Sequence, residues 1–113
     1  MSENQLKKIT SEVSQKVKAL LGDRLRDIIL FGSYARGDYN DESDIDIMVL
    51  ADIDNAKMRE TEYEIDMISG DISLNSNITV CILLYDKNQF YERLPILPFY
   101  QNVINDGVAI YAN

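Results

Sequence analysis

Histidine is absent from the 113 residues and cysteine occurs once. Without histidine, zinc sites and histidine-activated nucleophiles are excluded; with one cysteine, so is an internal disulfide. That residue, Cys81, lies in ITVCILL, where it reads as a small buried hydrophobe with nothing nearby to stabilise a thiolate. Bases are also scarce: 11 Lys and Arg face 19 Asp and Glu, a formal charge of -8. That sign repels phosphate backbones and anionic membranes at long range, so general nucleic-acid binding is not expected and a bound cation or a basic partner fits better. No run approaches the ~18 apolar residues of a membrane span, and MSENQLKKITSEV lacks an apolar core of signal-peptide length, so the expected location is cytoplasmic. Charges are interspersed rather than blocked, as in a folded chain. The length suits one domain, residues 1–113, with no room for a separate substrate domain, so a large target would have to supply part of any site.

The apolar pattern divides the chain into alternating elements. Leu6, Ile9, Val13, Val17, Leu20 and Leu21 recur at helical spacing, with Gly22 as a stop. DIILF, Asp27 to Phe31, is short and β-branched enough for a buried strand. SYARG could open a short helix, GDYNDES is rich in turn formers, and DIDIMVL resumes strand character. Met58, Thr61, Ile65 and Ile68 predict a second amphipathic helix from about Asp54 to near Gly70, after which ISLNSN leads into a strand from Ile78 to Leu84. Asp86 can cap a turn of helix through Phe90 and Tyr91. Pro95 and Pro98 break the chain before a helix near Phe99 to Asn105, and VAIY follows Gly107 as a last strand. The seven tyrosines are scattered, the pattern of half-buried packing residues rather than of a stacking platform.

The chemistry concentrates between Gly32 and Leu50. On a strand, Asp44, Asp46 and Met48 share one face while Ile45, Ile47 and Val49 share the other; the two carboxylates are then spaced by roughly 6.6 Å along the backbone. Two bare charges about 5 Å apart repel by roughly 3 kcal/mol at an effective dielectric near 20, and Asp38, Asp41 and Glu42 add to the field. Something positive should sit there, and hard oxygen ligands of this kind suit Mg²⁺. The preceding turn supplies a complementary half. Gly32 allows close backbone approach, Ser33 offers a hydroxyl, and the first N–H groups of a helix starting near Tyr34 would bind an anion. Arg36 either adds a fork for phosphate or pairs with a neighbouring acid such as Asp38. The spacing from Gly32 to Gly37 superficially suggests a P-loop, but Asp38 stands where its lysine would be. A phosphate cradle beside a carboxylate pair is equipment for moving a nucleotide from a triphosphate to an acceptor.

GSYARG, the acidic spacer and SDIDIMV together resemble the Gly-Ser and Asp-x-Asp signature of the DNA polymerase beta-like nucleotidyltransferase superfamily, specifically its minimal nucleotidyltransferase (MNT) members. The preceding helix and strand and the closing LPFYQNVINDGVAIY are also similar to small MNT domains. The resemblance implies an α/β, palm-like fold with a mixed β-sheet packed with helices, and ATP as substrate with Mg²⁺. It implies Asp44 and Asp46 as metal ligands, and Gly32 and Ser33 as the hold on the triphosphate. It further implies a HEPN-domain toxin as partner, with this chain as antitoxin, in some cases by attaching AMP to a toxin tyrosine.

Superfamily enzymes usually add a third carboxylate from a later strand, whereas ITVCILL contains none. Asn77 stands before it, Asp71 upstream and Asp86 after it, none mid-strand. The alternative reading is therefore a binding module whose nucleotide site has decayed and which neutralises its partner by contact. Transfer to a small molecule fits poorly, since such relatives usually bring a further helical domain. LPILPFY would serve either as a partner surface or as a corner that packs the terminus.

Overall fold

The structure, a computed structural model, describes residues 1–112. Helix α1 (Glu3–Leu21) is capped by Ser2, whose hydroxyl accepts the Gln5 N–H at 3.1 Å, and buries Ile9, Val13, Val17 and Leu21. It stops at Gly22, where φ is 55°. After a single 3₁₀ turn come β1 (Leu25–Phe31), α2 (Ser33–Arg36) and β2 (Ile45–Ala51). Then follow α3 (Asn55–Ser76), β3 (Val80–Asp86), α4 (Lys87–Arg93), α5 (Pro98–Asp106) and β4 (Val108–Ala112).

The four strands form one mixed sheet in the order β3-β2-β1-β4. β1 is antiparallel to both β2 and β4, and β2 runs parallel to β3, a connection that requires the long α3 crossover. This is the expected α/β arrangement, with β1 beginning two residues earlier than DIILF.

The second helix does not end near Gly70 but continues to Ser76. A mid-helix glycine costs about 1 kcal/mol, which burial of Ile65 and Ile72 on either side of it outweighs. The left-handed cap is Asn77, at φ 58°. ISLNS is thus helix rather than a polar lead-in, and Ser73 uses its hydroxyl on the next strand, accepting the Val80 N–H at 2.9 Å. The strand accordingly starts at Val80, not Ile78, and reaches Asp86.

Helices α1 and α3 cover one face of the sheet, where Ile28, Ile45, Ile47, Val49, Val80 and Ile82 meet Val13, Val17, Ile65 and Ile72. The opposite face holds a smaller core built from Phe31, Met48, Leu50, Phe90, Tyr100 and Val103. Phe90 and Tyr100 stack at 4.6 Å between ring centres. Asp86 caps α4 as expected, accepting the Gln89 N–H at 3.2 Å, and its other oxygen accepts the Ile53 N–H at 3.1 Å. LPILPFY divides: Tyr100 is buried, while Ile96, Leu97 and Phe99 are exposed. Tyr34 is buried like Tyr100, whereas Tyr39, Tyr63 and Tyr91 are exposed rather than half-buried.

Candidate active site

The site occupies the uncovered end of the sheet face that carries the smaller core. There Phe31, Asp46 and Cys81 form a row across β1, β2 and β3. Asp46 is half-buried in β2, and Asp44 is exposed just before that strand begins. One row along, Ile29, Met48 and Leu83 lie on the same face, and Met48 is fully buried beneath α4 and α5. Beside this covered stretch, the acidic end of the face presents the half-buried Asp46 and the exposed Cys81.

The chain leaves β1 through Gly32 at φ 76°, a conformation that side chains resist. A Cβ at this position would collide with Oδ2 of Asp46. The glycine is required twice, for the turn and for the close approach to the carboxylate. Helix α2 then makes a single turn, with the N–H groups of Ala35 and Arg36 both reaching Gly32 O at 3.1 Å. The amides of Ser33 and Tyr34 precede these bonds and take no part in them. A four-residue helix has little dipole, so an anion held there would depend on those local donors and on the Ser33 hydroxyl. That hydroxyl has no partner among the described residues.

The spacer between turn and carboxylates is ordered by its own polar groups. Asn40 N–H donates to Ser43 Oγ at 3.0 Å, and Glu42 N–H to the Asn40 side-chain oxygen at 2.8 Å. Tyr39 stacks on Tyr34 at 4.4 Å. Arg36 makes the contact open to it in the sequence, pairing with Asp38 at 3.2 Å with both side chains exposed.

Electrostatically, the pair is under-neutralised. Among the described residues neither Asp44 nor Asp46 belongs to an ion pair. Burial pushes the Asp46 carboxyl above its ordinary value, the Asp44 charge pushes it further, and Arg36 acts in the opposite direction. Two hard carboxylates without a protein cation, beside a glycine that leaves room, fit Mg²⁺. No group of three His, Cys, Asp or Glu side chains suited to a metal exists among the described residues. Two protein ligands, with waters and phosphate oxygens completing the shell, is the usual way Mg²⁺ is held at nucleotide sites.

Position 81 is where the sequence reading needs correction. Cys81 is exposed, not buried, because β3 is an edge strand and this end of its face has no helix above it. Partial burial of the thiol raises its pKa first, and Asp46, Asp44 and Asp66 raise it further, so its surroundings disfavour the thiolate. None of the other residues considered for a third ligand stands at mid-strand in β3. Asp86 caps α4 at the far end of β3, Asp71 is exposed on α3, and Asn77 is the cap of α3, beside Asp44 in a polar cleft. Sequence reasoning also missed that Phe31 and the exposed Phe99, edge-on at 5.7 Å, border the site; no local signal pairs residues 68 positions apart.

A mixed sheet with a glycine-serine turn packed on one member of a carboxylate pair defines the nucleotidyltransferase class of enzymes. Residues 6–109 match the family described as "Nucleotidyltransferase domain", and the chain belongs to that family. It is 33% identical over 104 residues to a Methanocaldococcus jannaschii protein named "Putative protein adenylyltransferase MJ0604", spanning 92% of this chain and 96% of that one. A crystal structure described as "a putative nucleotidyltransferase from Sulfolobus solfataricus" shares the fold, with a TM-score of 0.65 and 23% identity, over 98% of this chain and 86% of the other. So does a toxin-antitoxin crystal structure with AMP-PNP, at a TM-score of 0.59 and 22% identity, over 92% of this chain and 73% of that one. Among the described residues, no helix is long and apolar enough to cross a membrane.

Proposed function

We propose that this chain, acting as one nucleotidyltransferase domain, transfers AMP from ATP to a hydroxyl of a partner protein. The acceptor is a tyrosine of a HEPN-type toxin, which the transfer silences. The observation that carries the reading is the packing of the Gly32 turn directly on Asp46, in a site where neither carboxylate of the pair is neutralised. The name borne by the M. jannaschii relative supports a protein as acceptor, and the fold shared with a toxin-antitoxin complex supports the toxin.

Asp44 and Asp46 would hold Mg²⁺, which when bound neutralises charge on the triphosphate. The Ser33 hydroxyl and the Ser33 and Tyr34 amides orient the β- and γ-phosphates so that pyrophosphate leaves in line. The acceptor oxygen forms its bond to the α-phosphorus as the bond to the bridging oxygen breaks. With Cys81 at the place opposite Asp46, the hydroxyl proton passes to water, which the open end of the sheet admits. Exposed Phe99 sits beside Phe31 and, with the exposed Ile96 and Leu97 of the same segment, offers the acceptor protein an apolar foothold.

The thiol at position 81 favours a second reading. A decayed site could neutralise a partner by contact alone. The separating experiment incubates the chain and its co-expressed partner with ATP and Mg²⁺ and follows partner mass, for the wild type and for Asp44→Ala/Asp46→Ala. An AMP adduct that requires both aspartates supports transfer. Neutralisation without an adduct, retained in the double variant, replaces transfer with contact.

A further inference from the structure

Helix α3 carries apolar residues on two faces. Thr61, Ile65 and Ile72 are buried against the sheet, on the face opposite Asp46. Facing solvent are Tyr63, Met67 and Leu74, which are 66%, 51% and 83% exposed. With Gly70 between them, these positions advance by four, three and four residues, the spacing of a coiled-coil seam. A Cβ at Gly70 would meet nothing within 4 Å, so the seam contains a notch where another backbone could approach closely.

Beyond Arg59, which stands one turn before Tyr63, the charges around the seam are of one sign. From Glu60 onward α3 bears Glu60, Glu62, Glu64, Asp66 and Asp71 and no base. None of these acids is in an ion pair among the described residues. Glu64 and Asp71 flank the seam on one side and Asp66 on the other. This arrangement does not serve the helix itself, because Asp71 faces the negative end of its dipole and the acids lack i,i+4 bases. It also opposes pairing with a second copy, which would bring acids against acids.

We propose that the outward face of α3 is a docking surface for an amphipathic helix of another protein, with apolar residues in its seam and Lys or Arg flanking them. The surface is separate from the transfer site, and the inference stands whether or not that site is active.

Two synthetic three-heptad peptides with Leu at the seam positions test this, one flanked by Lys and Arg and the other by Glu. They are titrated into the whole chain while methyl resonances of Met67 and Leu74 are followed by NMR. The basic peptide is expected to bind and to shift those methyls. Its affinity should fall at least about tenfold in Met67→Gln/Leu74→Gln, whose substitutions lie on the surface and preserve helix propensity. Its salt dependence should shrink in Glu64→Gln/Asp66→Asn/Asp71→Asn. Equal binding of the acidic peptide, shifts confined to Ile96–Phe99, or no binding of either peptide would overturn the proposal. So would self-association of the chain that the seam substitutions abolish, which would make a second copy the occupant.

Discussion

Asp46 and Met48 are two residues apart on one strand and point to the same side of one sheet, yet Met48 is fully buried and Asp46 is not. Above Met48 lie Phe90, Tyr100 and Val103; against Asp46 packs the Gly32 turn. The closed half contributes stability by removing aromatic and aliphatic surface from water. The open half holds like charges together and a glycine in a left-handed conformation, which lowers stability and leaves space for a ligand. The contrast teaches that the site is the part of the second layer that α4 and α5 do not reach.

The comparison can be broken most strongly from the closed side. Phe90→Ala should destabilise the chain by about 3–5 kcal/mol through the cavity it leaves, measured by urea unfolding, while nucleotide affinity below the transition changes little. If affinity falls equally, the two halves are not independent. On the open side, Asp44→Ala/Asp46→Ala should leave the fold intact by circular dichroism. Metal-dependent binding of a non-hydrolysable ATP analogue should disappear in calorimetry, and any transfer should drop by roughly 10²–10³-fold.

Gly32→Ala is a smaller change that touches both properties. It places a methyl against the Asp46 carboxylate and strains φ, so a loss of about 1–3 kcal/mol is expected, together with weaker analogue binding. Stability loss without a binding change would show that the turn does not contact nucleotide.

The smallest effect is a gain. The folded state raises the Asp46 pKa from 3.8, so it binds that proton more tightly than the unfolded chain does. Stability from this group is present at low pH and is lost as pH rises through the folded value. At neutral pH in EDTA the ionised carboxylate is a liability, and Asp46→Asn should raise Tm by about 2–4 °C while weakening Mg²⁺-dependent binding. An unchanged or lower Tm would mean that the repulsion is already relieved.

Much of this was legible in the chain because its signals are local. Helical spacing in α1, β-branched runs in the first two strands and the Asp86 cap are each set by neighbours within a few residues. The Gly-Ser turn and the Asp-x-Asp pair are equally local, which is why the candidate ligands could be named before the fold was known. Errors arose where a distant contact outweighed a local preference. Gly70 reads as a stop, but Ile65 and Ile72 anchor the helix on both sides of it. Cys81 sits in an apolar run, yet an edge position with no covering helix leaves it exposed.

By itself the sequence determined the order of elements, the acidic character and the candidate residues for a metal and a phosphate, since these depend on side-chain chemistry and short-range periodicity. Tertiary structure alone decided that Cys81 stands opposite Asp46, that Phe99 meets Phe31, and that one side of α3 remains uncovered. Each of those facts joins segments far apart in the chain. Their proximity follows from strand register and helix placement, which the packing of both cores fixes together.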